Sequence, residues 1–182
     1  MFVILAVAGC GQQARPNYPV TVVTPEGKSS ARAPDFQITV YQGANVLGGQ
    51  EIKFSELLAH GKPVVLNFWA GFCPPCRAEL PDFQKLNDQY KDRILLFGLD
   101  VGPFVGLGSR EDGKALLKEL NITFPAGTTF DSRVVKDYEV LGMPTTVFIA
   151  PDGKIVSSWP GLLTWDKMVK LTDELVKVSG EP

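Results

Sequence analysis

The sequence predicts an α/β sandwich in which helices cover a mixed β-sheet. Three observations support this fold class. Apolar strand patterns alternate with amphipathic helix patterns along the chain. Residues 63–69 are apolar except for Asn67, the pattern of a strand covered on both faces. Near the end, the turn sequence Pro151-Asp152-Gly153 joins two strand patterns before one last helix. Periodicity alone leaves several topologies open.

The elements can be assigned in chain order. The predicted strands cover residues 36–40, 51–54, 63–69, 93–100, 145–150 and 154–159. The predicted helices cover residues 55–59, 74–90, a segment opened by the capping sequence Ser109-Arg-Glu-Asp112, a short segment capped by Asp131, and residues 164–178. Residues 43–49 are predicted to be turns. Pro81 lies inside the helix 74–90, where it cannot donate a backbone hydrogen bond, so we expect a kink there.

Composition and charge exclude several classes of protein. The chain has 182 residues, 45% of them hydrophobic and 21% charged, which fits one globular domain with a short tail. The 18 basic and 20 acidic residues nearly cancel, and no basic block suggests a nucleic-acid partner. No apolar run reaches 18 residues, so no full membrane span is predicted.

The first ten residues are interpreted as an export segment. An apolar run is followed by Val7-Ala8-Gly9-Cys10, which resembles a bacterial lipobox, so we expect lipidation at Cys10. Two features differ from a signal peptide, because no Lys or Arg precedes the run and the run is short. An upstream start codon would explain both; the alternative is an apolar strand with a chance cysteine. Residues 11–32 are interpreted as a flexible tether and residues 33–182 as the folded domain.

The motif Cys73-Pro74-Pro75-Cys76 lies where a buried strand is predicted to enter a helix. Unpaired N–H groups and the helix dipole at that point stabilise a thiolate, the nucleophilic form of cysteine. The spacing lets both sulfurs close a small disulfide, with Cys73 as the exposed attacking thiol and Cys76 as the shielded resolving thiol. The alternatives are half of a zinc site or a structural disulfide. Because His60 is the only histidine, we expect no metal, and the chemistry requires no organic cofactor.

At this point a family resemblance is evident. The segment from Val64 to Cys76 resembles the active-site strand and helix of the thioredoxin superfamily, and Arg77-Ala-Glu-Leu-Pro81 resembles its TlpA/ResA-type branch. Gly142-Met-Pro-Thr-Thr146 is similar to the cis-proline loop of that branch. The resemblance implies a thioredoxin fold with an N-terminal β-hairpin extension. It also implies that Pro144 is cis and faces the disulfide, with the backbone of Met143 free to pair with substrate.

The resemblance also suggests roles for other residues near the motif. Cytoplasmic thioredoxins have an aspartate at the position of Asn67, but the asparagine of this chain cannot titrate. The TlpA/ResA-type branch has a glutamate, a candidate proton acceptor, at the position of Glu79. The alternative for Glu79 is a solvated surface residue. We expect Phe72, where the family commonly has tryptophan, and Trp69 to contact substrate, although Trp69 could equally be a core residue. His60 is expected at the surface.

The implied activity is thiol–disulfide exchange outside the cytoplasm, acting on protein disulfides. The resemblance further implies a membrane electron donor and a common task in cytochrome c maturation; we expect a monomer anchored by lipid. Two other functions stay open on the same dithiol, a copper(I) metallochaperone and a thiol peroxidase. Met143 is a candidate additional copper ligand. Peroxide-reducing relatives usually have Thr or Ser where this chain has Ala70.

The two prolines of the motif predict the redox potential. Pro74 and Pro75 have no N–H, so only Cys76 within the motif can donate a backbone hydrogen bond to the Cys73 thiolate. We therefore expect a pKa only modestly below the free value of about 8.5. The potential should lie nearer the thioredoxin value of about −270 mV than the DsbA value of about −120 mV, so the protein should act as a reductant.

Overall fold

The computed structural model describes residues 31–180, in which a seven-stranded sheet separates two groups of helices. The order across the sheet is β2-β1-β5-β4-β3-β6-β7. The strands are β1 (Gln37–Gln42), β2 (Glu51–Lys53), β3 (Val64–Trp69), β4 (Leu95–Asp100), β5 (Ala126–Thr128), β6 (Thr145–Ile149) and β7 (Ile155–Pro160). The predicted Cys10 lipidation site and nearly all of the predicted tether lie outside the described residues.

The sheet is mixed, as the sequence predicts. β3, β4 and β5 run parallel, while β6 pairs with β3 and β7 pairs with β6 in the antiparallel sense. Every residue of β3 and β4 is buried, which explains why both strands are nearly continuous apolar runs. β1 and β2 form an antiparallel pair at one edge, which confirms the N-terminal hairpin extension.

Seven helices between residues 31 and 180 flank the sheet. They are α1 (Ala44–Leu47), α2 (Phe54–Leu58), α3 (Pro74–Tyr90), α4 (Gly102–Val105), α5 (Arg110–Glu119), α6 (Arg133–Asp137) and α7 (Trp165–Val178). The crossovers β3-α3-β4 and β4-α5-β5 join adjacent parallel strands, so a common right-handed crossover places α3 and α5 on the same face. Apolar side chains of α3, α5 and α7 share one core, and those of α2 and α6 belong to the other.

Three short elements of the structure were not predicted from periodicity, and the start of another differs from its prediction. β5 is three residues long, α4 is one helical turn, and α1 lies within the predicted turn region 43–49. Ser132 is the N-cap of α6, although the Asp131 carboxylate does accept a hydrogen bond from the first helical N–H, that of Arg133 (3.0 Å). α3 continues through Pro81 as one helix of 17 residues.

The first described residues lie at the predicted boundary between tether and domain and contact the rest of the domain. The carbonyl of Ala31 accepts a hydrogen bond from the N–H of Ile155 (3.0 Å), and Arg32 donates to the carbonyl of Asp152 (2.7 Å). Residues 31–33 therefore pair with the β6–β7 turn. No helix between residues 31 and 180 is long and apolar enough to cross a membrane.

Three loops meet at one end of the sheet. Phe68 near the end of β3 pairs with Thr145 at the start of β6, and Trp69 pairs with Asp100 at the end of β4. The loop after β3, the loop after β4 and the loop before β6 are therefore neighbours. These loops carry Cys73, α4 and Pro144, respectively.

Candidate active site

The two cysteines form a disulfide at the start of α3, with an S–S distance of 2.07 Å and a Cα–Cα distance of 5.2 Å. Cys73 is the N-cap of the helix, and its sulfur accepts a hydrogen bond from the N–H of Cys76 at 3.2 Å. This is the one donor that the Cys-Pro-Pro-Cys sequence leaves available within the motif. Cys76 is completely buried, whereas Cys73 is 2% exposed, so the attacking sulfur is nearly enclosed rather than openly exposed.

The loop before the disulfide is held by neighbouring loops. The N–H of Phe72 donates to the carbonyl of Leu107 at 2.8 Å. Gly71 passes so close to the start of α5 that a Cβ there would lie 2.8 Å from the carbonyl carbon of Asp112. Only glycine fits this position without a shift of the helix. The side chain of Phe72 projects into solvent beside Cys73 and is 62% exposed.

The loop before β6 lies across from the disulfide. The Met143–Pro144 peptide bond is cis, as the resemblance implies. Met143 and Cys73 line the same groove, together with Val105, Leu107 and Leu141. Within residues 31–180 the backbone of Met143 makes no hydrogen bond, whereas the carbonyl of Pro144 accepts one from Gly161 (2.7 Å).

Glu79 is buried beneath the disulfide, only 1% exposed, which is inconsistent with a solvated surface residue. One carboxylate oxygen accepts a hydrogen bond from the side-chain amide of Asn67 (2.9 Å), and the other accepts one from the N–H of Leu163 (3.1 Å). Burial raises the pKa of Glu79 from 4.5 to about 7, and these two hydrogen bonds only partly oppose the effect. Glu79 lies one helical turn beyond Cys76 on α3 and is therefore suited to exchange a proton near neutral pH.

Trp69 and His60 both lie outside the surface that a substrate can reach at the disulfide, one in the core and the other in a distant turn. Trp69 is completely buried against Gly98, in the core that also contains Cys73 and Cys76, so the structure supports the core alternative. His60 is exposed in the turn after α2, as expected. Within the described part of the chain, no group of three or more His, Cys, Asp or Glu residues is arranged to hold a metal ion.

Sequence analysis missed a second buried carboxylate close to the site. Asp100 at the end of β4 is completely buried and accepts hydrogen bonds from the Tyr41 hydroxyl (3.0 Å) and the Gly102 N–H (2.9 Å). Burial raises its pKa from 3.8 to about 6, and the two hydrogen bonds partly oppose this rise. An acidic residue ending an otherwise apolar strand was the available signal. Its contact with Gly102 connects the carboxylate to α4 and so to the wall of the groove.

These features together support redox chemistry between two sulfurs. A paired dithiol lies at a helix start, a buried acid with a pKa near neutrality follows one turn later, and an apolar groove gives access to Cys73. The groove encloses about 370 Å³ and contains no charged side chain among its lining residues. Its lining therefore offers no side-chain charge to pair with a charged ligand.

Comparison with known proteins gives consistent matches. A family model described as the AhpC/TSA family matches residues 30–158. The chain is 35% identical over 136 residues to the thiol-disulfide oxidoreductase ResA of Oceanobacillus iheyensis, covering 75% of this chain and 67% of that protein.

Solved structures share the fold. One is described as the thiol:disulfide interchange protein DsbE from Chlorobium tepidum, with a TM-score of 0.66 and 23% identity, covering 82% of this chain and 96% of that one. Another is the pneumococcal exposed lipoprotein thioredoxin from Streptococcus pneumoniae, with a TM-score of 0.64 and 27% identity, covering 78% of this chain and 99% of that one.

Proposed function

The chain belongs to the AhpC/TSA family and is a thiol–disulfide oxidoreductase with a thioredoxin fold, and from this premise we propose that it reduces disulfides of proteins outside the cytoplasm. The observation that carries the proposal is the Cys73–Cys76 pair at the start of α3, which lines a groove together with Met143. The backbone of Met143, which makes no hydrogen bond to the described part of the chain, supports a protein substrate, because an extended chain can hydrogen-bond to it.

The proposed reaction has two exchange steps. The Cys73 thiolate attacks a substrate disulfide, forms a mixed disulfide and releases one substrate thiolate. Cys76 then loses its proton to Glu79, attacks the mixed disulfide and releases the second substrate thiolate. The substrate gains two electrons, and the protein is left with the Cys73–Cys76 disulfide. A membrane thiol–disulfide donor returns the dithiol in this scheme.

Glu79 has the properties required of the proton acceptor. Its pKa of about 7 makes it a stronger base than an exposed carboxylate while keeping much of it ionised at neutral pH. The position on β3 that could have supplied an acid is Asn67, whose amide instead donates to Glu79. Asn67 therefore helps to hold Glu79 in position and does not itself exchange protons.

The direction of electron flow is proposed from the prolines of the motif. The Cys73 sulfur has one backbone donor from the motif, at Cys76, because Pro74 and Pro75 have none. A thiolate with few donors is weakly stabilised, which favours the oxidised protein and makes the dithiol a good reductant. We propose that apocytochrome c is among the substrates, as the family resemblance suggests.

The proposed location rests on the lipobox-like sequence at Cys10. The similarity to a pneumococcal protein described as an exposed lipoprotein supports it. The proposal is a monomer attached to the outer side of a membrane through lipidated Cys10, with residues 11–32 as tether. Fractionation of cells that express wild type or the Cys10→Ala variant tests this proposal. We expect wild type in the membrane fraction, and we expect the variant to be released or to stay unprocessed. A soluble wild-type protein with a mature start elsewhere would contradict it.

The activity is tested with the purified protein, insulin and a chemical reductant. Wild type should accelerate insulin reduction, and Cys73→Ser should abolish the acceleration, whereas normal turnover in that variant would contradict the assignment. A Cys76→Ala variant should trap the mixed disulfide, and mass spectrometry of the trapped partner identifies the substrate. Parallel copper(I) titration and peroxide assays measure the two alternative activities on the same preparation.

A further inference from the structure

A second groove adjoins the active-site groove. It lies between α4 and α6, encloses about 530 Å³, and takes its apolar lining from Phe104, Val135, Val140 and Leu141. Its charged lining residues, Lys136 and Glu139, have opposite signs, so they give the groove no net charge. An uncharged apolar side chain therefore matches its chemistry better than an acidic or basic one.

The two grooves are adjacent and share two lining residues. Val140 and Leu141 line both of them, and the first groove contains Cys73. A polypeptide whose cysteine reacts at Cys73 can therefore continue past Leu141 into the second groove. The side chain of Leu141 is 91% exposed, more than any other large apolar side chain in residues 31–180. Such exposure next to a reacting group is typical of a surface that a partner covers.

The wall formed by α4 is held in place before any substrate arrives. The Asp100 carboxylate accepts the N–H of Gly102 at the start of α4 (2.9 Å), and the carbonyl of Gly102 accepts the N–H of Leu107 (3.0 Å). The carbonyl of Leu107 in turn accepts the N–H of Phe72, next to Cys73. This chain of contacts links α4, the helix that carries Phe104, to the loop that carries the reacting sulfur.

From these contacts we propose that the second groove binds an apolar side chain of the protein substrate at a fixed distance along the chain from its reacting cysteine. The inference rests on the proposed function, because it requires that substrate disulfides react at Cys73. It adds a specificity determinant outside the redox motif and the cis-proline loop, formed by Phe104 of α4, Val135 of α6 and Leu141.

The probes are disulfide-linked dimers of a short peptide that contains only Gly, Ser and one central cysteine. In each member of the series, one Gly or Ser on either side of the cysteine is replaced by leucine. Reduced full-length protein is mixed with excess peptide, and the second-order rate constant is taken from the appearance of peptide thiol. Each reaction converts one peptide disulfide into two thiols and oxidises one Cys73–Cys76 pair.

Two variants change the second groove without changing the redox pair. Ser132→Trp adds a large side chain at an exposed position that lines only the second groove and makes no side-chain cap for α6. Leu141→Ser removes an exposed apolar wall whose loss should not affect folding. Ser158→Trp, at an exposed position of β7 outside both grooves, is the matched control.

A leucine at one position at least two residues from the cysteine should raise the rate constant about tenfold, which corresponds to about 1.4 kcal/mol. Complete burial of leucine would give a larger factor, but an open groove buries only part of the side chain. Ser132→Trp and Leu141→Ser should lose this preference, and Ser158→Trp should keep it. Ser132→Trp and Ser158→Trp, which lie outside the active-site groove, should also reduce glutathione disulfide at the wild-type rate. Equal rates for all leucine positions, or a preference that survives in both groove variants, would overturn the inference. Failure of wild type to reduce any disulfide would instead contradict the proposed function.

Discussion

Replacement of Glu79 by glutamine should stabilise the protein at alkaline pH while slowing its reaction. The folded state raises the pKa of this carboxyl from 4.5 to about 7. Between these pH values the folded protein binds more protons than the unfolded chain, so wild-type stability falls as pH rises through this window. The interval between the two pKa values corresponds to about 3 kcal/mol. Glu79→Gln lacks this ionisation and should avoid the loss.

The surroundings of Glu79 can accommodate glutamine. The oxygen of the Asn67 side-chain amide is buried and has no partner among residues 31–180, while its nitrogen donates to Glu79. A rotation of that amide by half a turn presents the oxygen to the amide of the introduced glutamine, and the hydroxyl of Thr146, which now accepts from Asn67, can donate instead. The backbone N–H of Leu163 retains an oxygen acceptor. The variant should therefore fold, with a stability close to that of wild type at pH 4.5.

Two measurements test this reasoning. In urea unfolding from pH 4.5 to 8, the stability of Glu79→Gln relative to wild type should rise by about 3 kcal/mol, with half of the change complete near the middle of the window. Insulin reduction at pH 7 should fall about a hundredfold, the lower end for loss of a general base. Glu111→Gln, which removes an exposed carboxyl on α5, is the control. An unchanged stability difference across this pH range, or a normal rate at pH 7, would refute the reasoning.

Three further substitutions test other parts of the site. Pro75→Ala restores a backbone donor for the Cys73 thiolate, and a charge-assisted hydrogen bond of about 1.5–3 kcal/mol should lower the Cys73 pKa by about 1–2 units, measured by thiolate absorbance. The potential, measured by glutathione equilibration, should rise by about 30–60 mV at a pH above the wild-type Cys73 pKa and by less at pH 7. Tyr41→Phe removes the hydroxyl that donates to Asp100. Because that bond favours ionised Asp100, the variant should lose about 1.5–3 kcal/mol of stability at pH 8 and less below pH 6, and equal losses would contradict the assignment. Gly113→Ala places a Cβ against the Asp100 carboxylate, so it should lower the unfolding temperature despite the usual helical advantage of alanine; a rise would show that Asp100 can move.

The sequence predicts the long elements and the redox pair because local patterns determine them. β3 and β4 are recognisable as apolar runs, and α3 matches its predicted bounds because Cys73 and the two prolines mark its start. The short elements were missed for the opposite reason. β5 has only three residues, too few to show a period. Its Gly127 packs directly against the backbone of Thr39 in β1, so the segment is a strand because of this neighbour. Tertiary contact, rather than periodicity, defines such a segment.

The burial of Glu79 and Asp100 could not be predicted from local sequence patterns either. Spacing places Glu79 one turn from Cys76, but its burial depends on Asn67 from β3 and Leu163 from the segment before α7. The environment of the Asp100 carboxylate is formed in the same way, by the Tyr41 hydroxyl from β1 and by Gly113 of α5. Each partner is distant in sequence, so the raised pKa values become visible only when the elements are assembled.

The pairing of Ala31 with Ile155 fixes where the described chain begins relative to the reactive sulfur. The turn between β6 and β7 lies beside Val64, at the beginning of β3, whereas Cys73 follows its end. Six residues of strand separate these two poles by about 20 Å. The polypeptide therefore enters at the pole opposite the reactive sulfur. A domain held from this entry point would present Cys73 outward, towards approaching polypeptides.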